Sequence, residues 1–162
     1  MADTPHMSAL RRATVFVQDL DRSIRFYSEA FAMSLWFRRE MALVEGFPAG
    51  EPGQGGDMRF VILRGWDPQI GMIGLIEIKN PPLKPRTDYQ LRQGTAALVV
   101  ETTDMARTAA KVRELGGRVL RGPWDGRNIG DLTGTPFPAK VMFALDPDQQ
   151  FLEVFQRVQP SA

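Results

Sequence analysis

Apolar positions recur along this chain at two spacings, one of two residues and one near four, and the alternation between them divides it into elements. Residues 11–17 (RRATVFV) alternate, which predicts a strand with Ala13, Val15 and Val17 on one face. Asp19 is placed to cap a helix over about 20–31, where Ile24, Tyr27 and Phe31 recur at helical spacing and should pack on a sheet. Residues 34–41, 58–64 and 72–79 read as three further strands. The stretch 47–56 holds two prolines and four glycines and reads as a long flexible loop. Residues 80–86 (NPPLKPR) read as an extended linker, because proline fixes the backbone and donates no hydrogen bond.

The same order then returns. Residues 95–101 predict a strand, and Asp104 a cap. The helix that follows ends at Gly116-Gly117 and buries Met105, Ala109, Val112 and Leu115. Residues 118–121 predict a short strand and 122–139, with four glycines and three prolines, a long loop. Residues 140–145 and 151–157 are the last strands, joined by the turn Asp146-Pro147-Asp148. The predicted fold class is α+β: two βαβββ units, over about 8–80 and 93–158, joined by the proline-rich linker 81–92 and preceded by a flexible tail, 1–7.

Composition narrows the chemistry. The formal charge of +1 on 162 residues gives no reason to expect a nucleic-acid partner. No run of about 18 apolar residues exists, and residues 1–7 lack a secretory leader, so no membrane association is expected. With no cysteine, disulfides and thiolate chemistry are excluded, in keeping with a cytoplasmic location. The single histidine, His6, lies in the tail. A two-histidine metal site from one chain is therefore excluded, and with it the iron dioxygenase triad. A metal held by oxygens alone stays open.

Two stretches carry a resemblance. Residues 17–31 (VQDLDRSIRFYSEAF) join a strand, an acidic cap and a Ser…Phe-Tyr helix, and Asp146-Pro147-Asp148 is followed by Glu153 in FLEVF. Together with the duplication, these resemble the vicinal-oxygen-chelate superfamily of glyoxalases and bleomycin-resistance proteins over residues 8–158. The resemblance implies a cupped sheet around a cavity, often shared across a dimer, so a homodimer is expected. It also implies four metal-holding positions on the concave face. Here the first histidine position is Arg12 and the first glutamate is Glu77; the second histidine position is Thr95, after Gly94, and the second glutamate is Glu153. Both histidines are missing, so no metal cofactor is expected.

Strand alternation places the other residues around that cluster. With Arg12 inward, Thr14 and Phe16 follow; with Glu153 inward, Phe151 and Phe155 flank it; Glu77 shares a face with Ile73 and Leu75. The expected site is an apolar cup floored by Arg12, Glu77, Thr95 and Glu153. Arg12 then serves either as counter-ion to the glutamates or as anchor for an anionic ligand. Two functions compete. One is a metal-independent lyase or isomerase for a small, partly apolar anionic compound, with a glutamate as general base. The alternative is a non-catalytic protein that sequesters a small molecule in the same cup; a third reading is a structural homologue without a ligand. Glutathione recognition is not supported, because the positions that serve it in the resembled glyoxalases are Phe16 and Pro81. A deeply buried glutamate would favour catalysis, and an open aromatic groove would favour binding.

Overall fold

The structure, a computed structural model, describes residues 10–43, 47, 56–67, 71–130 and 135–158. The tail with His6, and most of the 47–56 loop, lie outside them. The first unit runs β1 (Arg12–Phe16), α1 (Leu20–Phe31), β2 (Ser34–Ala42), β3 (Asp57–Arg64) and β4 (Met72–Lys79). The second runs β5 (Ala97–Glu101), α2 (Met105–Glu114), β6 (Arg118–Gly130), β7 (Pro136–Leu145) and β8 (Phe151–Arg157). Each unit forms its own four-stranded mixed sheet, in the orders β1-β4-β3-β2 and β5-β8-β7-β6. Among the described residues no helix is long and apolar enough to cross a membrane.

Local chemistry sets the helices. The Asp19 carboxylate accepts the Arg22 backbone N–H at 3.0 Å, and Asp104 accepts that of Arg107 at 3.0 Å. The inner stripe of α1 is Leu20, Ser23, Phe26, Tyr27 and Ala30; that of α2 is Met105, Thr108, Ala109 and Val112. One core takes both stripes together with the inner faces of both sheets: Val17, Val61, Leu63, Ile73 and Leu75 from the first, Met142, Ala144, Leu152 and Val154 from the second. The opposite faces are open, leaving Phe16, Phe37 and Val99 exposed by 46%, 39% and 60%.

Two expectations change. The stretch after residue 121 is not wholly loop, because β6 continues to Gly130. It is the edge strand of its sheet and its register against β7 shifts in three places. An edge accommodates Pro123 and such bulges, since the missing N–H faces away from the ladder. Thr95 lies outside β5, in a turn where its hydroxyl accepts the Arg92 N–H at 3.1 Å.

The units are locked together by the Asp146-Pro147-Asp148 turn. Asp148 accepts hydrogen bonds from the Gln18 backbone (3.0 Å), the Arg22 guanidinium (2.8 Å) and the Ser23 hydroxyl (2.8 Å). Asp146 accepts from the Tyr27 hydroxyl and from the backbone of Asp148 and Gln150, each at 2.8 Å. Burial raises the Asp146 carboxyl to about 6, a rise that its hydrogen bonds restrain and the Asp148 charge reinforces. Burial, with the Asp146 charge, also raises the Tyr27 phenol well above its usual range.

A raised carboxyl pKa means that the folded state holds its proton where the unfolded chain has released it. The penalty for the ionised group is full above pH 6 and is relieved as pH falls toward 4, a change on the order of 3 kcal/mol for this residue. Asp146→Asn keeps an acceptor for the two backbone N–H groups. It is expected to fold at pH 7 and to flatten the pH dependence of urea unfolding between pH 4 and 6.5. An unchanged slope in that window would count against a raised Asp146.

Candidate functional site

Strand parity decides which side chains meet. Val61, Leu63, Ile73 and Leu75 face the helices, while Met58, Ile76 and Ile78 form a second cluster on the opposite face with Met41, Leu43, Phe47 and Phe60. Val15 pairs with Leu75 and Arg12 with Met72. Arg12, Thr14 and Phe16 therefore lie on the open face, as alternation predicts. The Arg12 guanidinium sits 4.9 Å over the Phe60 ring. Thr14 lies against Gly74, where an added Cβ would come within 2.8 Å of the threonine hydroxyl. Phe16 meets Phe47 edge-on at 6.2 Å.

Glu77 is on the other side. It shares the face of Leu75, as expected, but that face is turned to the helices. Its Oε2 lies 3.0 Å from Arg59 Nε and 3.8 Å from Lys79 Nζ. The Arg59 approach is a charge contact without hydrogen-bond alignment, for neither atom has a hydrogen-bond partner. Arg59 also donates to Asp21 on α1 at 2.8 Å. The expected pairing of Arg12 with Glu77 is thus not formed: Arg12 lies opposite Met72, five positions earlier on β4, and on the reverse face. Thr95 joins neither residue.

Glu153 does lie on an open face, that of the second sheet. Phe151 and Phe155 flank it on β8, Phe143 stands opposite it on β7, and Val99 on β5. The rings connect further. Phe151 stacks on Tyr89 of the linker (5.8 Å, 12°) and packs on Phe143 (5.4 Å), Phe143 meets Trp124 edge-on (5.0 Å), and Phe155 packs on Phe137 (6.0 Å). Among the described residues the Glu153 side chain makes no hydrogen bond or ion pair. Glu153 is half-buried, and its neighbours along and across the strands are apolar.

Alternation along 95–101 puts Val99 on the inward face with Thr95 and Ala97, but sequence reasoning missed Tyr89, Trp124, Phe137 and Phe143 as members of this face. Alternation within 140–145 could have found Phe143, two residues from Val141. Tyr89 and Trp124 depend on where the linker and β6 run, and Phe137 on how far β7 extends ahead of residue 140. Two cavities flank the junction of the units. One, of about 440 Å³, is lined by Arg12, Phe31, Met33, Ile73 and Val99; the other, of about 280 Å³, by Thr14, Phe16, Arg86 and Gln150. Glu153 lines neither.

A metal centre does not fit this donor set. Glu77 faces the helices beside Arg59, Glu153 stands alone, and among the described residues no three His, Cys, Asp or Glu side chains converge. The arrangement can supply one solitary carboxylate on an aromatic surface.

Residues 9–154 match the model of the Glyoxalase/Bleomycin resistance protein/Dioxygenase superfamily. The chain is 27% identical over 144 residues to a probable chloroplastic lactoylglutathione lyase of Arabidopsis thaliana. That match takes in 89% of this chain but 34% of the relative, so the chain spans about a third of its length. A glyoxalase family protein from Bacillus cereus superposes with a TM-score of 0.72 over 98% of this chain and 99% of that one, at 14% identity. The trypanothione-dependent glyoxalase I of Leishmania major gives 0.56 over 93% and 87%, at 20% identity. Both structural likenesses speak to the fold.

The geometry separates the roles of the charged residues. Arg59→Met strands a buried carboxylate and is expected to cost about 3 kcal/mol in chemical denaturation. Arg12→Met loses only an exposed ring contact and should cost within about 1 kcal/mol. Equal losses at the two positions would restore Arg12 as the counter-ion. Calorimetric titration with zinc or nickel is expected to show no saturable binding that Glu77→Gln with Glu153→Gln abolishes. Stoichiometric binding lost in that double variant would reinstate a metal centre.

Proposed function

Because the chain belongs to the Glyoxalase/Bleomycin resistance protein/Dioxygenase superfamily, we propose that it binds a small, partly apolar molecule on the open face of the second sheet, around Glu153. The observation that carries this reading is the continuous row of Tyr89, Phe151, Phe143 and Trp124 beside an unpaired carboxylate. Aromatic rings offer large contact area with little side-chain entropy to lose, and one polar group among them fixes orientation. Arg12, Thr14 and Phe16 belong to the open face of the first sheet. Thr14 and Phe16 reach the ligand where a second copy sets its first sheet over the second sheet of its partner, Arg12 staying on the Phe60 ring of its own sheet, and this homodimer also covers Phe16, Phe37 and Val99.

A second reading, a lyase or isomerase, is favoured by one observation. Glu153 is free of partners and so available as a general base, and the 27%-identical relative is a probable lactoylglutathione lyase. On this chain the chemistry would proceed without a metal, with Glu153 moving a proton. Binding is preferred because no second polar group of the described residues stands beside Glu153 to stabilise a developing charge.

Phe143→Ala combined with Phe151→Ala is expected to weaken a ligand found by thermal-shift screening roughly tenfold or more. A ligand indifferent to both changes would overturn the site. Light scattering at micromolar concentration should give twice the chain mass of 18.2 kDa; a mass of one chain would overturn the shared cup. Measurable turnover of lactoylglutathione, lost in Glu153→Gln, would favour the catalytic reading over binding alone.

A further inference from the structure

The charges around the aromatic face point to the class of ligand, and this inference rests on the binding reading above. Three arginines stand at its rim. Arg86 lies 5.7 Å over the Tyr89 ring, Arg121 5.1 Å over Trp124 and Arg157 4.5 Å over Phe137. Two have a further partner: Arg157 pairs with Glu101 at 2.9 Å and Arg86 donates to the Gln90 carbonyl at 3.3 Å. The outer rings of this face thus each carry a cation already. The inner rings, Phe143, Phe151 and Phe155, surround Glu153, and among the described residues none carries a cation and Glu153 pairs with none. We propose that the ligand is an organic cation: a flat aromatic group bearing a protonated nitrogen, which pairs with Glu153 while the ring continues the aromatic row.

The physics of the three alternatives differs. A neutral aromatic ligand would cover the Glu153 carboxylate, strip its water and return nothing. An anionic one would add repulsion from that charge and from the negative faces of the rings. A cation gains from both at once, because the quadrupoles of Phe143, Phe151 and Phe155 and the charge of Glu153 act on it with the same sign. This departs from the expectation of an anionic ligand, which required Arg12 beside the glutamates. Against a cation stand the rim arginines, whose net charge would draw an anion instead, so the test must offer both.

Three probes with one ring system make that comparison: 2-naphthylmethylammonium, 2-naphthylmethanol and 2-naphthoate, titrated by calorimetry at pH 7 into the full chain. The ammonium is expected to bind about tenfold tighter than the alcohol, and the naphthoate most weakly. In Glu153→Gln the ratio of ammonium to alcohol affinity should fall to near one. Glu29→Gln makes the same change of net charge on α1, away from this face, and should keep the ratio. If naphthoate binds most tightly, or the ratio survives in Glu153→Gln, the ligand is not a cation held by Glu153, while binding at the aromatic face still stands. If none of the three binds, the binding reading falls and this inference with it.

Discussion

Two carboxylates that cannot be left unpaired hold this molecule together. Asp146 and Asp148 are buried in a turn of the second unit; helix α1 of the first unit meets them with a tyrosine hydroxyl, a serine hydroxyl and a guanidinium, and Gln18, just ahead of the helix, with its backbone N–H. Either unit alone would expose its helix stripe and, in the second, strand this pair. Docking satisfies both needs together, because the residues that bind the turn, Ser23 and Tyr27, alternate along α1 with those that fill the core, Leu20, Phe26 and Ala30. The turn also fixes the start of β8 through the Gln150 backbone. The direction in which Glu153 points is thus a consequence of how Asp146 is paired.

The two glutamates that look alike in sequence differ for a reason of register. In β4 Leu75 faces the helices and pairs with Val15; in β8 Leu152 faces the helices and pairs with Leu98. Counted from these leucines, Glu77 is two residues on and Glu153 is one. A single residue of offset in a structure of period two sends the first into the helix-facing layer and leaves the second on the open face. The first is then neutralised by Arg59, the second by nothing in the described chain.

Much of the fold was legible because the determinants were local. Asp19 and Asp104 announce their helices, Met105, Ala109 and Val112 show the buried stripe of α2, and the Asp146-Pro147-Asp148 turn stands where sequence chemistry puts it. The orientation of β4 was not legible. As an inner strand it is buried on both faces from Ile73 to Ile78, and with apolar residues on either side no alternation remains to report which face Glu77 takes. The aromatic row was hidden for another reason. Its members come from the linker, β6, β7 and β8, and β6 carries glycines and a proline that read as loop. An edge strand tolerates those residues, but which strand is an edge depends on pairings far along the chain.

That edge has a consequence for how the protein behaves in concentrated solution. A chain with an uncovered aromatic face invites indefinite association, and the usual route is one sheet adding its outer strand to another. One outer strand of each sheet resists this. In β6 the Gly122-Pro123 step and the shifted register leave no straight backbone to extend, and β2 carries Arg38, Arg39 and Glu40 in succession beside its own irregularity at Leu35 to Phe37. Growth by strand addition is thereby hindered at the β2 and β6 edges, and with it one common route to fibrils.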